Sequence, residues 1–328
     1  MTTVTAMIRK TLPEAAAWLR QNDCYLLLTH RRPDGDTIGS AAALCRGLHQ
    51  LGKAAWLLEN PEVTPKYAPY LTGLTVPASP EGVTVLAIDT ASPGLLPENA
   101  QPLAGNVQLC IDHHGSNTGY AAATLVAPGC AACGEVIFRL LEALTVPVDK
   151  GIAEALYLAI ATDTGCFRYS NVTAETMRIA AQLMDCGAAA YPINKVMFET
   201  KRLPRLRLEA YLIEHVAFFS AGRIGISIIP AHLRQQLGLT SDDLDDISGF
   251  ARDIEGVEIG AMLRQQPDGS TKLSVRSSPA FDACAICAKL GGGGHKAAAG
   301  ASLPLPPDHA QAALLQAIYD VYPSLLPQ

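Results

Sequence analysis

Three short apolar runs, each ending on a histidine or an aspartate, restrict this chain more than any other feature. Cys24 to Leu28 runs into Thr29-His30, Val83 to Ile88 into Asp89, and Val107 to Ile111 into Asp112-His113-His114. Runs of this length, rich in Leu, Val and Ile, read as strands buried on both faces. Segments of helical period accompany them: Thr37 to Leu51, Gly134 to Leu144, Ile152 to Ala161 and Thr173 to Asp185. Buried strands alternating with amphipathic helices predict an α/β fold, a doubly wound and mostly parallel sheet. Ligands of such sheets bind beyond the carboxyl ends of the strands. Ligating side chains placed there three times point to a shared site, not to scattered surface charge.

The stretch Thr29-His30-Arg31-Arg32-Pro33-Asp34-Gly35-Asp36 sets one imidazole and two carboxylates at a turn that Pro33 and Gly35 tighten. Carboxylates this close repel each other unless a cation holds them. A mixed nitrogen and oxygen donor set suits Mn²⁺, Zn²⁺, Fe²⁺ or Co²⁺ better than Ca²⁺. Taken alone, the stretch also reads as a strand-to-helix turn, with Asp36 as N-cap of the helix Thr37 to Leu51 and Gly52 ending it. Asp89, Asp112-His113-His114 and Asp163, in Thr162-Asp163-Thr164-Gly165, complete a donor set large enough for two divalent ions. Two such ions about 3.5–4 Å apart acidify a water and clamp phosphoryl oxygens for in-line displacement. A Ser-His-Asp order, a Walker loop and a complete Gly-x-Gly-x-x-Gly are all missing. The run Gly291-Gly-Gly-Gly-His295-Lys296 fails the last two because Ala297 follows Lys296.

A length of 328 residues suggests two domains. The reading divides them into a metal-binding domain over residues 1–190, a linker over 191–212, and a smaller α+β domain over 213–328. In the latter, strands Tyr211 to Phe219 and Ile224 to Ile229 flank Ala221-Gly222, and Val257 to Gln265 and Ser270 to Arg276 flank Pro267-Asp268-Gly269. Helices are expected over Ala231 to Leu237, Asp242 to Arg252, Ala283 to Lys289 and Asp308 to Tyr322. Near the N-terminus, Thr11-Leu-Pro-Glu14 is a capping box. The stretch Lys195 to Glu209 holds five cations against two carboxylates, which makes it a solvated connector helix or a basic lip for an anionic substrate.

Net charge is −6, so anion binding must come from a local patch or from metals. No apolar run reaches the ~18 residues of a membrane span, and the N-terminus lacks a signal peptide's apolar core. With nine cysteines and no secretory signal, the expectation is a cytoplasmic protein with reduced thiols and no membrane partner. The pairs Cys130/Cys133 and Cys284/Cys287 lie far apart in sequence and read as structural thiols.

The set His30-x3-Asp34-x-Asp36, Asp89, Asp112-His113-His114 and Asp163 resembles the DHH phosphoesterase superfamily. Ser274-Val-Arg276-Ser and Gly291-Gly-Gly-Gly-His295 resemble its DHH-associated substrate-binding domain. Within the superfamily the chain is most similar to the bifunctional oligoribonucleases and pAp phosphatases, with agreement over Thr29–Ser40, Asp112–Asn117, Thr162–Thr173 and Lys272–Gly300. It departs where the family often has Asn after Gly-Gly-Gly-Gly-His-Lys, since this chain has Ala297. The resemblance implies two divalent ions, Mn²⁺ first, with Mg²⁺ or Co²⁺ as alternatives. His30, Asp34 and Asp89 would bind one ion, and Asp36, Asp89, His113 and Asp163 the other. His114 would face the substrate phosphate or protonate the leaving group, and Asp112 would orient the histidine pair. Arg276 and His295 would hold a phosphate or the nucleotide end, with Gly292, Gly293 and Gly294 letting backbone approach it. Arg168 would contact substrate or cover the sheet edge. The implied activity is hydrolysis of short oligoribonucleotides to 5′-mononucleotides and dephosphorylation of pAp (3′-phosphoadenosine 5′-phosphate) to AMP. Alternatives are a pyrophosphatase or exopolyphosphatase, a hydrolase of linear or cyclic dinucleotides, and a nucleotide-binding module without catalysis. The complete donor set disfavours the last. Oligomeric state stays open, a homodimer among the options.

Overall fold

The structure is a computed structural model that describes residues 8–244 and 247–326. The chain divides into two compact units, Met1–Thr200 and Lys201–Gln328. No helix among the described residues is long and apolar enough to cross a membrane.

In the first unit, strands β1 (Ile8–Arg9), β2 (Tyr25–Leu28), β3 (Ala55–Leu58), β4 (Thr75–Val76), β5 (Thr84–Ile88), β6 (Val107–Asp112) and β7 (Ala123–Val126) form one sheet in the order β1-β7-β6-β5-β2-β3-β4. Every pairing in it is parallel. From β2 the chain winds outward to β3 and β4, and from β5 it winds the other way to β6 and β7. The direction reverses between the neighbours β2 and β5, so a crevice opens beyond their carboxyl ends. His30 follows β2 and Asp89 follows β5.

Alternate strand residues face opposite layers. Tyr25, Leu27, Leu57, Leu86, Ile88, Leu109 and Ile111 join the core under helices α1 (Leu12–Gln21), α2 (Gly35–Gln50), α3 (Cys133–Ala143), α4 (Lys150–Asp163) and α5 (Ala174–Asp185). Leu26, Leu28, Val85, Ala87 and Cys110 face a thinner layer that includes Leu96 and Ala100, from the 3₁₀ turns between β5 and β6. Helices α2 and α4 touch closely because α2 presents glycines. A Cβ on Gly39 would strike the carbonyl oxygen of Ala155, and one on Gly35 would strike Thr162.

The second unit holds a mixed sheet in the order β12-β13-β11-β10-β9-β8. Its strands are β8 (Ala217–Phe219), β9 (Ile224–Ile229), β10 (Ile259–Gln265), β11 (Thr271–Ser277), β12 (Gly293–His295) and β13 (Ala298–Leu303). Only the β9–β10 pairing is parallel. One face, with Ile226, Ala261, Leu273 and Val275, packs on helices over Ala283–Ala288 and Pro307–Val321. On the other face, Met262 and Ile229 pack with Leu208 and Leu212 of the helix Leu203–His215.

The structure revises several expectations. The N-cap of α2 is Asp34, not Asp36: its Oδ1 accepts the N–H groups of Asp36 and Thr37 at 3.0 and 3.1 Å, so the helix starts at Gly35. Tyr211 to His215 is helical, not extended, because Leu208 and Leu212, four residues apart, both bury on the core side. Lys195 to Glu209 is not one helix. A wide turn over Lys195–Glu199 ends before Leu203–His215 begins, and Pro204 opens the new helix. Asp242 to Arg252 forms 3₁₀ turns over Asp242–Leu244 and Ile247–Asp253, and positions 245 and 246 lie outside the described residues. Strands β1, β4, β7, β12 and β13 were not anticipated.

Candidate metal centre

Each side chain of the site is aimed by the element that carries it. β2 delivers His30 and β5 delivers Asp89, whose backbone is left-handed at φ 53° although it is not glycine. Such strain persists only where surrounding structure enforces it, and it clusters at functional sites. β6 ends on Asp112 and hands over to His113 and His114. α2 brings Asp34 and Asp36, and α4 ends on Asp163.

These residues converge as three groups able to hold an ion: His30, Asp34 and Asp89; Asp36, His113 and Asp163; and Asp89, His113 and His114. His30 Nε2 lies 3.7 Å from Asp34 Oδ1 and 3.7 Å from Asp89 Oδ2. His113 Nε2 lies 3.6 Å from Asp36 Oδ2, 3.6 Å from Asp89 Oδ1 and 3.5 Å from Asp163 Oδ2. Donors 2.0–2.2 Å from a shared ion stand about 3–3.5 Å apart, so these gaps are slightly wide of coordination spacing and too long for hydrogen bonds. Asp89 turns Oδ2 toward His30 and Oδ1 toward His113, the arrangement a bridging carboxylate needs.

Tautomers sharpen this. His30 Nδ1 sits 2.8 Å from the carbonyl of Arg31, and His113 Nδ1 sits 3.2 Å from the carbonyl of Cys130. A carbonyl only accepts, so each Nδ1 carries a hydrogen, and it is the Nε2 of each ring that faces the carboxylates. His113 Nε2 and Asp89 Oδ1 are both buried without a hydrogen-bond partner. Two buried polar atoms 3.6 Å apart, neither hydrogen-bonded, are unfavourable on their own, and a cation between them would satisfy both.

The carboxylates are held in place by neutral donors. Asp36 Oδ1 accepts Ser40 Oγ at 3.0 Å and Gly134 N at 2.9 Å, and Oδ2 accepts Cys133 N at 2.7 Å. The N-terminus of α3 thus grips this carboxylate, as helix N-termini grip anions. Burial, then the charges of Asp89, Asp163 and Asp34, still pushes Asp36 well above the usual carboxylate range. Asp163 is pushed up to about 6, by burial before any charge. His30 rises to about 9: burial opposes the shift, and Asp34 and Asp89 overcome it.

Asp112 is fully occupied elsewhere. Its Oδ1 accepts His114 Nδ1 at 2.8 Å and the N–H groups of His113 and His114, and its Oδ2 accepts Asn117 Nδ2 at 2.6 Å. The resemblance made Asp112 the orienter of both histidines. The structure gives it the His114 ring, and the Cys130 carbonyl takes the His113 ring. That partner, like Ser40, Asn117 and the amides of Cys133 and Gly134, was absent from the sequence reading. Ser40 had a signal, standing four residues after Asp36 on one helix; the backbone partners had none. All nine cysteines are free thiols. Cys130 and Cys133 serve the site through backbone atoms, while burial raises the Cys130 thiol to about 11 and that of Cys133 well above its ordinary value.

The other expected residues lie outside these groups. Arg168 donates Nε to the carbonyl of Gly165 at 2.6 Å, pinning it to the loop after α4. In the second unit Arg276 and His295 both stand opposite Ala298, on β11 and β12 either side of β13, so the three share one row across the sheet. Gly292 and Gly294 have a packing reason: a Cβ on either would strike β13 backbone, and Gly294 is left-handed at φ 146°. A Cβ on Gly293 would meet nothing within 4 Å, which leaves this glycine open to approach from solvent. Of the five cations between Lys195 and Glu209, Lys201 and Arg205 pair with Glu209, and Arg202 pairs with Asp243. These pairs support the connector reading.

The DHH family, N-terminal domain, matches residues 25–160, and the DHHA1 domain matches residues 225–322. The Bifunctional oligoribonuclease and PAP phosphatase NrnA of Thermus thermophilus is 35% identical over 296 residues, 89% of this chain and 88% of its own length. The protein of the same name from Bacillus subtilis is 26% identical, over 86% of this chain and 90% of its own. Among solved structures, an exopolyphosphatase-related protein from Bacteroides fragilis superposes with a TM-score of 0.83 at 21% identity, covering 99% of both chains, a likeness of fold alone. With both domains matched in order and a one-third-identical relative spanning nearly the whole length, the chain belongs to the DHH family.

Proposed function

We propose that this chain hydrolyses short oligoribonucleotides to 5′-mononucleotides and dephosphorylates pAp to AMP, using two divalent ions, Mn²⁺ first among them. The observation that carries the metal chemistry is the facing pair of unpartnered buried atoms, Asp89 Oδ1 and His113 Nε2. The substrates rest on the relatives, which are named oligoribonucleases and PAP phosphatases. In this reading His30, Asp34 and Asp89 hold one ion, and Asp36, His113, Asp163 and Asp89 hold the other. When bound, the ions acidify a water and neutralise charge on the phosphoryl oxygens.

The chain's own residues do the rest. Ser40 and the first amides of α3 keep Asp36 from swinging away. His114 gives Nδ1–H to Asp112, whose charge raises the ring, and in this reading its Nε2 serves the departing oxygen as proton donor. Asn117 locks Asp112 from the other side. In the DHHA1 domain, Arg276 and His295 hold a phosphate or nucleotide end, and Gly293 lets backbone approach it. Arg168 serves as a further contact to substrate. The chain's negative charge disfavours long nucleic acids, whose binding needs many phosphate contacts.

The test is a panel with Mn²⁺: pAp, RNAs of about two to five nucleotides, a long structured RNA, pyrophosphate and polyphosphate. The expected result is AMP from pAp, 5′-mononucleotides from the short RNAs, and slow turnover of the rest. Pyrophosphate as best substrate would replace this reading with the pyrophosphatase one. Asp89→Asn suits the left-handed backbone, since Asn tolerates it, and removes the shared charge. Near-normal turnover in that variant would sink the two-ion mechanism.

A further inference from the structure

We propose that Arg31 and Arg32 grip the phosphate of the substrate that is not cleaved, so that this centre prefers pAp to a nucleotide bearing only the 3′-phosphate. The inference rests on the reading of the site as a two-ion nucleotide phosphoesterase.

The loop from β2 to α2 carries two proposed ligands, His30 and Asp34, with only Arg31, Arg32 and Pro33 between them. Its backbone is fastened at both ends. Asn60 Nδ2 donates to Thr29 Oγ1 at 3.0 Å and to the His30 carbonyl at 2.9 Å. Arg31 N donates to the Leu95 carbonyl at 2.7 Å, and Asp34 caps α2. Pro33 is buried, and a proline disfavours the right-handed helical region for the residue before it. Arg32 takes the left-handed region, at φ 49°. A residue with a Cβ is uncommon there, and such strain clusters at functional sites. Two peptide steps separate Arg32 from each ligand, so its Cα stands no more than about 7.6 Å from the Cα of either.

Arg31 and Arg32 are exposed, and among the described residues neither guanidinium has a hydrogen-bond or ion-pair partner. Most arginines of this unit are engaged. Arg20, Arg46 and Arg168 donate to backbone carbonyls, and Arg139 and Arg178 pair with Glu175. Arg9 also lacks a partner, but it lies on β1, four strands along the sheet from β2. Charge says what the pair beside the ligands can do. The carboxylates of Asp34, Asp36, Asp89 and Asp163 balance two divalent ions, which leaves no net charge at the loaded centre for a second phosphate. pAp brings two phosphates, and the ions clamp the one that is cleaved. Arginine suits the other, because it stays protonated and its planar fork meets phosphate oxygens two at a time. The competing explanation is that both are solvated surface charges, which would affect all substrates alike or none.

The test compares wild type with Arg31→Gln, Arg32→Gln and the double variant on two substrate pairs. One pair is pAp and adenosine 3′-phosphate; the other is a dinucleotide with and without a 5′-phosphate. Wild type should favour the member of each pair that has the second phosphate. Each single variant should raise KM for that member by roughly 10- to 150-fold. The member lacking it should change by no more than about twofold, the through-space effect of one exposed charge roughly 10 Å away. Bound metal and melting temperature should stay at wild-type values. Arg31 is not left-handed, so Arg31→Gln decides the matter even if Arg32→Gln fails to fold. A double variant that keeps the wild-type preference, or loses equally on both members of a pair, overturns the proposal and leaves the nucleotide reading standing. A wild type without the preference does the same. A wild type that ignores pAp and short RNA but cleaves pyrophosphate overturns the reading and this inference together.

Discussion

Gly39→Ala tests whether the packing of two helices sets the metal geometry. Gly39 lies on α2, between Asp36 and the rest of the helix, and faces α4, which carries Asp163. An added Cβ would sit 3.0 Å from Ala159 N and Cβ, and closer still to the carbonyl oxygen of Ala155. Ordinary carbon contacts prefer about 3.5–4.0 Å, so roughly 1 Å of overlap must be relieved. Neither obstacle is the tip of a flexible side chain, so the helices must part. Overpacking costs about 1–3 kcal/mol, offset by about 1 kcal/mol from replacing glycine inside a helix. Stability should therefore fall by at most about 2 kcal/mol, a shift of roughly 4–8 °C for a unit of this size. Activity should suffer more, because a misplacement of about 1 Å costs about 100-fold. The assay pairs thermal melting with kcat/KM on pAp at saturating Mn²⁺. Gly94→Ala, where an added Cβ meets nothing within 4 Å, is the neutral control. If Gly39→Ala melts and turns over like Gly94→Ala, the α2–α4 contact does not set the ligand spacing.

Two further outcomes are expected. In the ion-free protein, His30 raised to about 9 contributes stability that is complete below its ordinary 6.5 and lost as pH rises through 9; Asp163, raised to about 6, costs stability as it ionises between about 4 and 6. Ion binding needs both groups deprotonated, so the melting-temperature gap between Mn²⁺-loaded and chelated protein should widen from pH 6 to pH 9, and a constant or narrowing gap would contradict the assigned ligands. Arg276→Ala should lower kcat/KM for pAp and short RNA by roughly 10- to 150-fold, the equivalent of about 1.5–3 kcal/mol for a charge-assisted phosphate contact, with metal content unchanged; intact kinetics on both substrates would show that the grip lies elsewhere.

What could be read from the chain alone were features with a local cause. Apolar runs that end on His or Asp revealed β2, β5 and β6 and, with them, His30, Asp89 and the Asp112-His113-His114 run, because strand ends and switch-point ligands coincide in parallel sheets. The capping box at Thr11 and the left-handed Gly52 behaved as local rules require. Strands β1 and β4 escaped notice because two residues carry no period, and β7 because the four residues Ala-Thr-Leu-Val do not stand out in an Ala-rich stretch. Asp34 and Asp36 were equally good caps by type. Only the fold separates them, by offering Asp36 the amides of α3 nearly one hundred residues away in the chain. The same holds for the Cys130 carbonyl behind His113, since backbone groups look alike in every sequence. Residue type decides which atoms can bind a cation. Their convergence, tautomers and supports are long-range contacts, and those exist only once the sheet and the α2–α4 packing have formed.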